Sequence, residues 1–131
     1  MKKNFGIKDA VLFEWSGEII DIRGECELLS VEFRPGNSPS VEIKWKIEQS
    51  NQQIHMIFNS VEDFIFRGRD TEYPLESGAM LLIAGFNDGV NRGSEDQFYV
   101  EPTQEMNYMS FAMDDRSVIL VRADSVIMRR A

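Results

Sequence analysis

The side chains most often used in catalysis are scarce in this sequence, which has one histidine, His55, and one cysteine, Cys26. A general base must face a substrate site, and the local alternation of polar and apolar residues instead puts His55 on the outward face of a strand beside Gln53. Cys26 is flanked by Glu25 and Glu27, whose negative charge raises the pKa of the thiol and suppresses the reactive thiolate. We therefore expect an exposed or cross-strand-paired imidazole and a half-buried, unreactive cysteine.

Metal and cofactor motifs are missing as well. Zinc sites need several Cys and His ligands, and the chain has two such residues in total. The segment 87–96 is rich in oxygen donors. However, Val90 occupies a position where a calcium loop starting at Asp88 needs its next ligand, and Arg92 puts a cation among the donors. The same loop lacks the Gly-Lys-Ser/Thr ending of a phosphate cradle. We expect no metal and no cofactor.

Negative charge is concentrated in one part of the chain. The whole sequence carries −8, whereas residues 70–115 hold ten acidic residues and one basic residue, so this segment alone carries −9. Nucleic-acid binding is disfavoured because phosphate contacts need clustered Lys and Arg. A cation or a basic protein partner is favoured, and the simpler interpretation is that acidic loops keep a β protein in solution.

The acidic segment also contains aromatic residues that suit a protein interface. Tyrosine gives a large contact area at low entropic cost, although the same rings could instead cap the open end of a core. Most of the other aromatic residues, including Phe64 and Phe66, fall on alternating apolar faces and are expected in the core. The candidate partner-binding residues are Tyr73, Glu95, Asp96, Phe98, Tyr99, Glu101, Glu105 and Tyr108.

The elements that must position these residues are strands. Residues 41–48 read Val-Glu-Ile-Lys-Trp-Lys-Ile-Glu, a period of two that is typical of a strand with one dry and one wet face. Turn signals at Ser16-Gly17 and at 35–39 predict hairpins, and a slip in the apolar phase predicts a β-bulge near Leu28. We predict strands near 10–15, 18–23, 26–34, 40–48, 52–58, 61–67, 79–86, 96–101, 107–113, 117–122 and 124–130.

These strands predict an all-β fold, an antiparallel β-sandwich or partly closed barrel, with one short helix allowed near 73–78. A length of 131 residues fits a single domain, 1–131. No apolar run approaches the ~20 residues that cross a bilayer, and no apolar region follows the basic residues near the start. One cysteine cannot form an internal disulfide, so we expect a cytoplasmic protein with no membrane contact.

Three segments carry a resemblance to a known group. In the first, residues 58–64, one strand runs into a second. The second, residues 122–128, is a closing strand with a turn of small and acidic residues. The third is Trp15 followed by the strand 18–22. Together they resemble small all-β bacterial immunity-type proteins and related domains of unknown function. The resemblance implies a non-enzymatic cytoplasmic protein that binds and neutralises a toxin domain. No residue matches a binding motif position by position, so it assigns no functional residue.

The leading hypothesis is therefore a non-enzymatic binding protein that presents an acidic, tyrosine-containing surface to a basic protein partner, with an immunity protein acting on a toxin as one form of it. The alternative is a small-ligand binder or a carboxylate-based hydrolase with its site in the mouth of the barrel. Carboxylates are plentiful, and a pair facing each other across a cleft would suit glycoside hydrolysis. A third possibility is an oligomeric structural component, and the oligomeric state stays open.

Overall fold

The alternating segments of the sequence form β-strands in the computed structural model, which describes residues 1–9, 11–48, 50–68, 79–87 and 108–130. These residues contain no helix, so the all-β prediction is confirmed. The helix allowed near 73–78 and the strand predicted at 96–101 lie outside the described residues. In the described parts of the chain the strands are β1 (Lys2–Lys3), β2 (Gly6–Lys8), β3 (Leu12–Trp15), β4 (Glu18–Asp21), β5 (Cys26–Arg34), β6 (Ser40–Ile47), β7 (Gln53–Arg67), β8 (Leu81–Asn87), β9 (Tyr108–Met113) and β10 (Val118–Arg130).

The strands form a large curled sheet and a small one. The large sheet has the order β5-β6-β7-β10-β9-β8 with antiparallel neighbours, and β1 pairs in parallel with β10. The start of β8 returns to β5, where Met80 bridges Glu27 and the Leu28 N–H donates to the Ala79 carbonyl at 2.8 Å. The large sheet is therefore a half-barrel, in agreement with the predicted partly closed barrel. The small sheet has the order β2-β3-β4 and packs against it.

Two long strands, β7 and β10, join the halves of the large sheet. Each was predicted as two strands and is instead one continuous strand with an irregularity in the middle. Their pairing shifts register between Arg122 and Ala123, because one extra residue of β7 lies between their partners Asp63 and Val61. Ser60 beside this bulge has a φ of 53°. Bulges bend and twist a strand, so the second half of β7 leaves the direction set by the first half.

The core lies on the concave face of the large sheet. Val41, Ile43 and Trp45 of β6 pair with alternate residues of β7 and are buried, as the period of two predicts. The small sheet contributes Phe13 and Ile20 to the same core. Trp45 also packs against Phe111 of β9, with ring centroids 5.5 Å apart. Burial of this apolar surface is the main term that stabilises the fold.

The predicted hairpins at Ser16-Gly17 and at 35–39 are confirmed, because they connect β3 to β4 and β5 to β6. The predicted bulge beside Leu28 is also confirmed, since the register of β5 and β6 shifts between Leu28 and Ser30.

β1 and β2 were not predicted, because residues 2–8 have no clear alternation. The side chain of Asn4 takes the place of a strand residue next to β1: it donates to the Met128 carbonyl at 2.9 Å and accepts from the Met128 N–H at 2.8 Å. No membrane-spanning helix is found within the described residues.

Candidate functional site

A groove opens on the concave face between β5 and the second half of β7. Phe33 pairs with Val41, and Phe64 and Phe66 pair with the buried residues Val121 and Ile119, so all three phenylalanines have core-facing positions. The pairing of β6 with β7 stops at Asn59, however, and the second half of β7 runs past the end of β6. The groove has a volume of about 420 Å³ and is lined by Leu28, Leu29, Ser30, Val31, Phe33, Phe64 and Phe66.

The lining of the groove is apolar and open to solvent. Phe33 is 50% exposed, Phe66 48% and Leu29 42%. The rings of Phe33 and Phe64 are parallel, with centroids 6.2 Å apart across the groove. The prediction that Phe66 belongs to the core is therefore wrong. Its position faces inward, but no described strand covers it after β7 bends away from β6.

A second recess of about 410 Å³ continues the groove along β7. It shares Phe33 and Phe64 with the groove and adds Glu62 and Asp63, together with Pro39 and Val61. Both carboxylates have partners. Glu62 Oε2 lies 2.8 Å from Arg122 Nε, and Asp63 Oδ1 accepts the Phe64 N–H at 2.9 Å. The groove is thus apolar along its floor and acidic at one end of its rim.

Tyr108 is the one candidate partner-binding residue that lies within the described residues. It is half-buried at the start of β9, and its hydroxyl donates to Asp63 Oδ2. Burial raises the pKa of the Tyr108 phenol, and the hydrogen bond to the Asp63 carboxylate raises it further, against an opposing effect of Arg122. Tyr108 is therefore bonded to a residue of the acidic rim, as a neutral donor. The other candidates, Tyr73, Glu95, Asp96, Phe98, Tyr99, Glu101 and Glu105, lie outside the described residues and stay predictions.

Two acidic residues of the segment 70–115 lie in the described turn between β9 and β10. Asp114 Oδ1 accepts the Met80 N–H at 2.9 Å. Asp115 is buried, and its Oδ1 accepts the Ser117 N–H at 2.9 Å and the Ser117 hydroxyl. Both carboxylates hold backbone in place. They add to the negative charge of the segment, but their hydrogen bonds give them a structural role.

His55 lies on the outer face of the sheet, away from the groove. Its strand neighbours are Lys44 and Arg129, and its Nδ1 is 3.1 Å from Oε1 of the buried Glu42. The ring is not aligned to make a good hydrogen bond through either nitrogen. Glu42 is also 3.6 Å from Arg34. The predicted outward position of the imidazole is confirmed, and the ring lies beside Glu42 of the neighbouring strand.

Cys26 is buried rather than half-buried. Burial raises the pKa of its thiol to about 12, with smaller contributions from the charges of Glu25 and Asp21. The predicted direction of the shift is confirmed, but desolvation is its main cause. An uncharged thiol enclosed by the core is a poor nucleophile.

The arrangement is suited to binding. Within the described ranges no three His, Cys, Asp or Glu side chains are close enough to hold a metal ion. The groove offers mainly carbon surface, since the Oγ of Ser30, its one residue with a polar side chain, is enclosed by protein. The alternation predicted that Phe64 and Phe66 face inward, but it did not predict the groove, because alternation within a strand does not reveal whether another strand covers it. Comparison with family models, curated proteins and solved structures found no match for this chain.

Proposed function

We propose that this protein is a non-enzymatic binding protein and that its partner is a basic protein that docks in the groove. The observation that carries the proposal is the half-exposure of Leu29, Phe33 and Phe66 in one continuous recess. A contiguous exposed apolar patch with a polar rim is typical of an interaction site, and aromatic residues supply a large share of interface energy. Glu62 and Asp63 at the rim give the groove the polar border that such interfaces have.

The charge of the chain supports a basic partner. A net charge of −8, concentrated in residues 70–115, attracts a cationic protein and speeds its encounter. Contacts with the aromatic groove then slow dissociation, because truncation of buried anchors acts mainly on the off-rate. The resemblance to immunity-type proteins supports the form of this proposal in which the partner is a toxin domain and binding neutralises it.

The test begins with affinity purification of a partner by the tagged protein from its native cells, followed by measured dissociation constants for the purified pair. We expect the double variant Phe33→Ser/Phe66→Ser to bind at least ten times more weakly than the unmodified protein. The matched control is Ile127→Ser, which removes a side chain of similar exposure, 45%, from the outer face. We also expect weaker binding at higher salt. Equal affinity of the groove variant and the control would contradict the proposal.

A second candidate function is the binding of an apolar small molecule. It is favoured by the groove volume of about 420 Å³, which falls in the range of roughly 300–1,000 Å³ typical of ligand pockets. Native mass spectrometry of the protein isolated from its own cells tests it. Small-molecule binding would be favoured over protein binding if a compound copurified with the protein, was absent from Phe66→Ser, and was not displaced by any protein partner. The hydrolase form gains no support, since Glu62 and Asp63 are held by Arg122 and Tyr108.

A further inference from the structure

We infer that the partner enters the groove as an extended segment, with alternating apolar and basic residues, that adds as a strand to the edge of β7 at residues 62–67. The inference rests on the proposed function and specifies the form in which the partner is recognised. Strand addition uses backbone hydrogen bonds for affinity and pockets for alternate side chains for specificity. The second half of β7 offers both.

The first support is the pairing of β7. Its residues 54–59 are paired on both sides, with β6 and with β10. Beyond the bulge, its residues 63–67 pair with β10, and no strand within the described residues pairs with the opposite edge. On that side the Val61 N–H donates to the Pro39 carbonyl at 2.9 Å, just where the described pairing with β6 ends. An edge of this kind is a template for another strand.

The second support is the direction of the backbone groups. The Phe64 N–H donates to the side chain of its own neighbour, Asp63, and this contact lies at the protein surface. In an antiparallel ladder the N–H and C=O of one residue point to the same neighbour and alternate along the strand. Phe64 therefore turns its backbone away from β10, and Phe66 does the same two residues later. Their rings line the groove, so edge donors and apolar anchors occur together.

The chemistry of the occupant follows from size and charge. Residues 62–67 span about 20 Å, enough for a segment of five or six residues, and the groove and the second recess run beside them. A second copy of this chain is disfavoured because each copy carries −8. Lys or Arg side chains of a partner segment would instead meet Glu62 and Asp63 at the rim. The incoming strand would replace Asp63 as the acceptor of the Phe64 N–H.

The test uses a peptide of four Val-Lys repeats with blocked ends, and four Val-Glu repeats as the control of opposite charge. We expect the basic peptide to shift the backbone amide resonances of Phe64 and Phe66 in nuclear magnetic resonance spectra and to slow the hydrogen exchange of both amides. The acidic peptide should leave them unchanged. Absence of these changes at millimolar basic peptide, equal effects of the two peptides, or changes centred on Ile127 would overturn the inference.

Two substitutions at one position separate the backbone from the ring. Phe66→Ala removes the ring and keeps the N–H, whereas Phe66→Pro removes both. Since the Phe66 N–H points away from β10, proline at this position should break no hydrogen bond between β7 and β10. The Ile65 N–H points toward β10, so Ile65→Pro should remove such a bond and disrupt the strand. We expect Phe66→Pro to bind the basic peptide about fivefold more weakly than Phe66→Ala, because proline also removes the N–H that would donate one hydrogen bond to the peptide.

The two proposals fail in different ways. Equal peptide affinity of Phe66→Pro and Phe66→Ala, or greater thermal stability of Ile65→Pro than of Phe66→Pro, would overturn strand addition. The proposed function would survive that result if Phe33→Ser/Phe66→Ser still lost the partner. If the groove variant kept full affinity for the partner, the proposed function itself would fail.

Discussion

Asp63 connects the edge of β7 to the acidic segment. Its Oδ1 accepts the Phe64 N–H and its Oδ2 accepts the Tyr108 hydroxyl. Arg122 lies between Asp63 and Tyr108 as the cross-strand neighbour of both. A single carboxylate thus satisfies the outward backbone donor at Phe64 and fixes a tyrosine at the rim of the groove. Side-chain capping of this kind limits unwanted strand pairing at an exposed edge.

The first prediction concerns the ionisation of Tyr108. Asp63→Asn should lower the pKa of Tyr108 toward its ordinary value, because it removes a negative charge and a hydrogen-bond acceptor, while the effect of burial remains. Ultraviolet absorbance of the phenolate, taken as the difference between each protein and its Tyr108→Phe counterpart, measures this pKa. Asp124→Asn, which changes an exposed carboxylate of β10, is the control and should leave the titration unchanged.

The same shift has a consequence for stability. The pKa of Tyr108 is higher in the folded protein than in the unfolded chain, so the folded state holds this proton more tightly. Its contribution is complete below the unfolded pKa of about 10 and is lost as the pH rises through the folded pKa. Stability that rose with pH in this alkaline range through Tyr108 would contradict the assignment.

The second prediction concerns Cys26. A buried thiol with a pKa of about 12 has almost no thiolate near neutral pH, so Ellman's reagent should react with the native protein only as fast as the protein unfolds. In urea, which unfolds the protein and exposes the thiol, the same cysteine should react with the reagent as fast as a free cysteine does. Because the folded pKa lies above the unfolded one, stability from this group is complete below about pH 9 and falls as the pH rises toward 12. Rapid reaction of the native protein with Ellman's reagent would contradict this prediction.

At the scale of elements, β7 has two roles along its length. Its first half lies between β6 and β10 and buries Ile54, Met56 and Phe58 in the core. Its second half forms a wall of the groove and an edge of the described sheet. The bulge between Val61 and Asp63 separates the two roles, since the added residue turns the strand away from β6. The edge of β7 that we propose binds the partner therefore belongs to the same strand that contributes to the core.

The third prediction concerns the contact between Asn4 and β10. Asn4→Ala removes two hydrogen bonds to the Met128 backbone, and we expect the free energy of unfolding to fall by about 1–2 kcal/mol. Urea denaturation measures the change, and hydrogen exchange should show a faster Met128 amide. Lys8→Ala, at an exposed position of β2, should change stability by less than about 0.5 kcal/mol. An equal effect of the two substitutions would argue against the contact.

At the scale of the whole molecule, the half-barrel and the charge distribution act on different steps of binding. The curled sheet keeps an apolar groove open on one side, which favours a long-lived complex. The net charge of −8 acts at longer range and favours fast encounter with a cationic partner. Residues 70–115 carry −9, and Tyr108 of this segment is bonded to Asp63 at the rim of the groove.

The fourth prediction concerns the acidic segment. Converting Glu95, Glu101 and Glu105 to Gln together with Asp96→Asn should slow association with the basic partner and flatten its salt dependence, because four charges are lost from the attracting segment. Stopped-flow kinetics at several salt concentrations measure both effects. A control variant neutralises four exposed acidic residues elsewhere, at Asp9, Glu14, Glu48 and Asp124. Equal association rates for the two variants would count against a localised docking surface.

Strands, hairpins and a bulge could be predicted from local residue patterns alone. Alternation and turn chemistry are local, so Ser16-Gly17, the slip at Leu28 and the apolar face of β6 could each be interpreted without knowing what lies nearby. The outward position of His55 follows from the same period of two, whereas the full burial of Cys26 does not. The charge imbalance of the acidic segment is also a property of composition alone.

Strand order, and with it the groove, was decided only by the tertiary structure. Phe58 and Phe66 both face inward on β7, yet Phe58 is buried and Phe66 is 48% exposed. The difference arises because β6 runs beside the first half of β7 and ends before the second, a contact between residues distant in sequence. Local periodicity fixes which face a side chain occupies. Whether another element covers that face depends on long-range pairing, which carries no local signal.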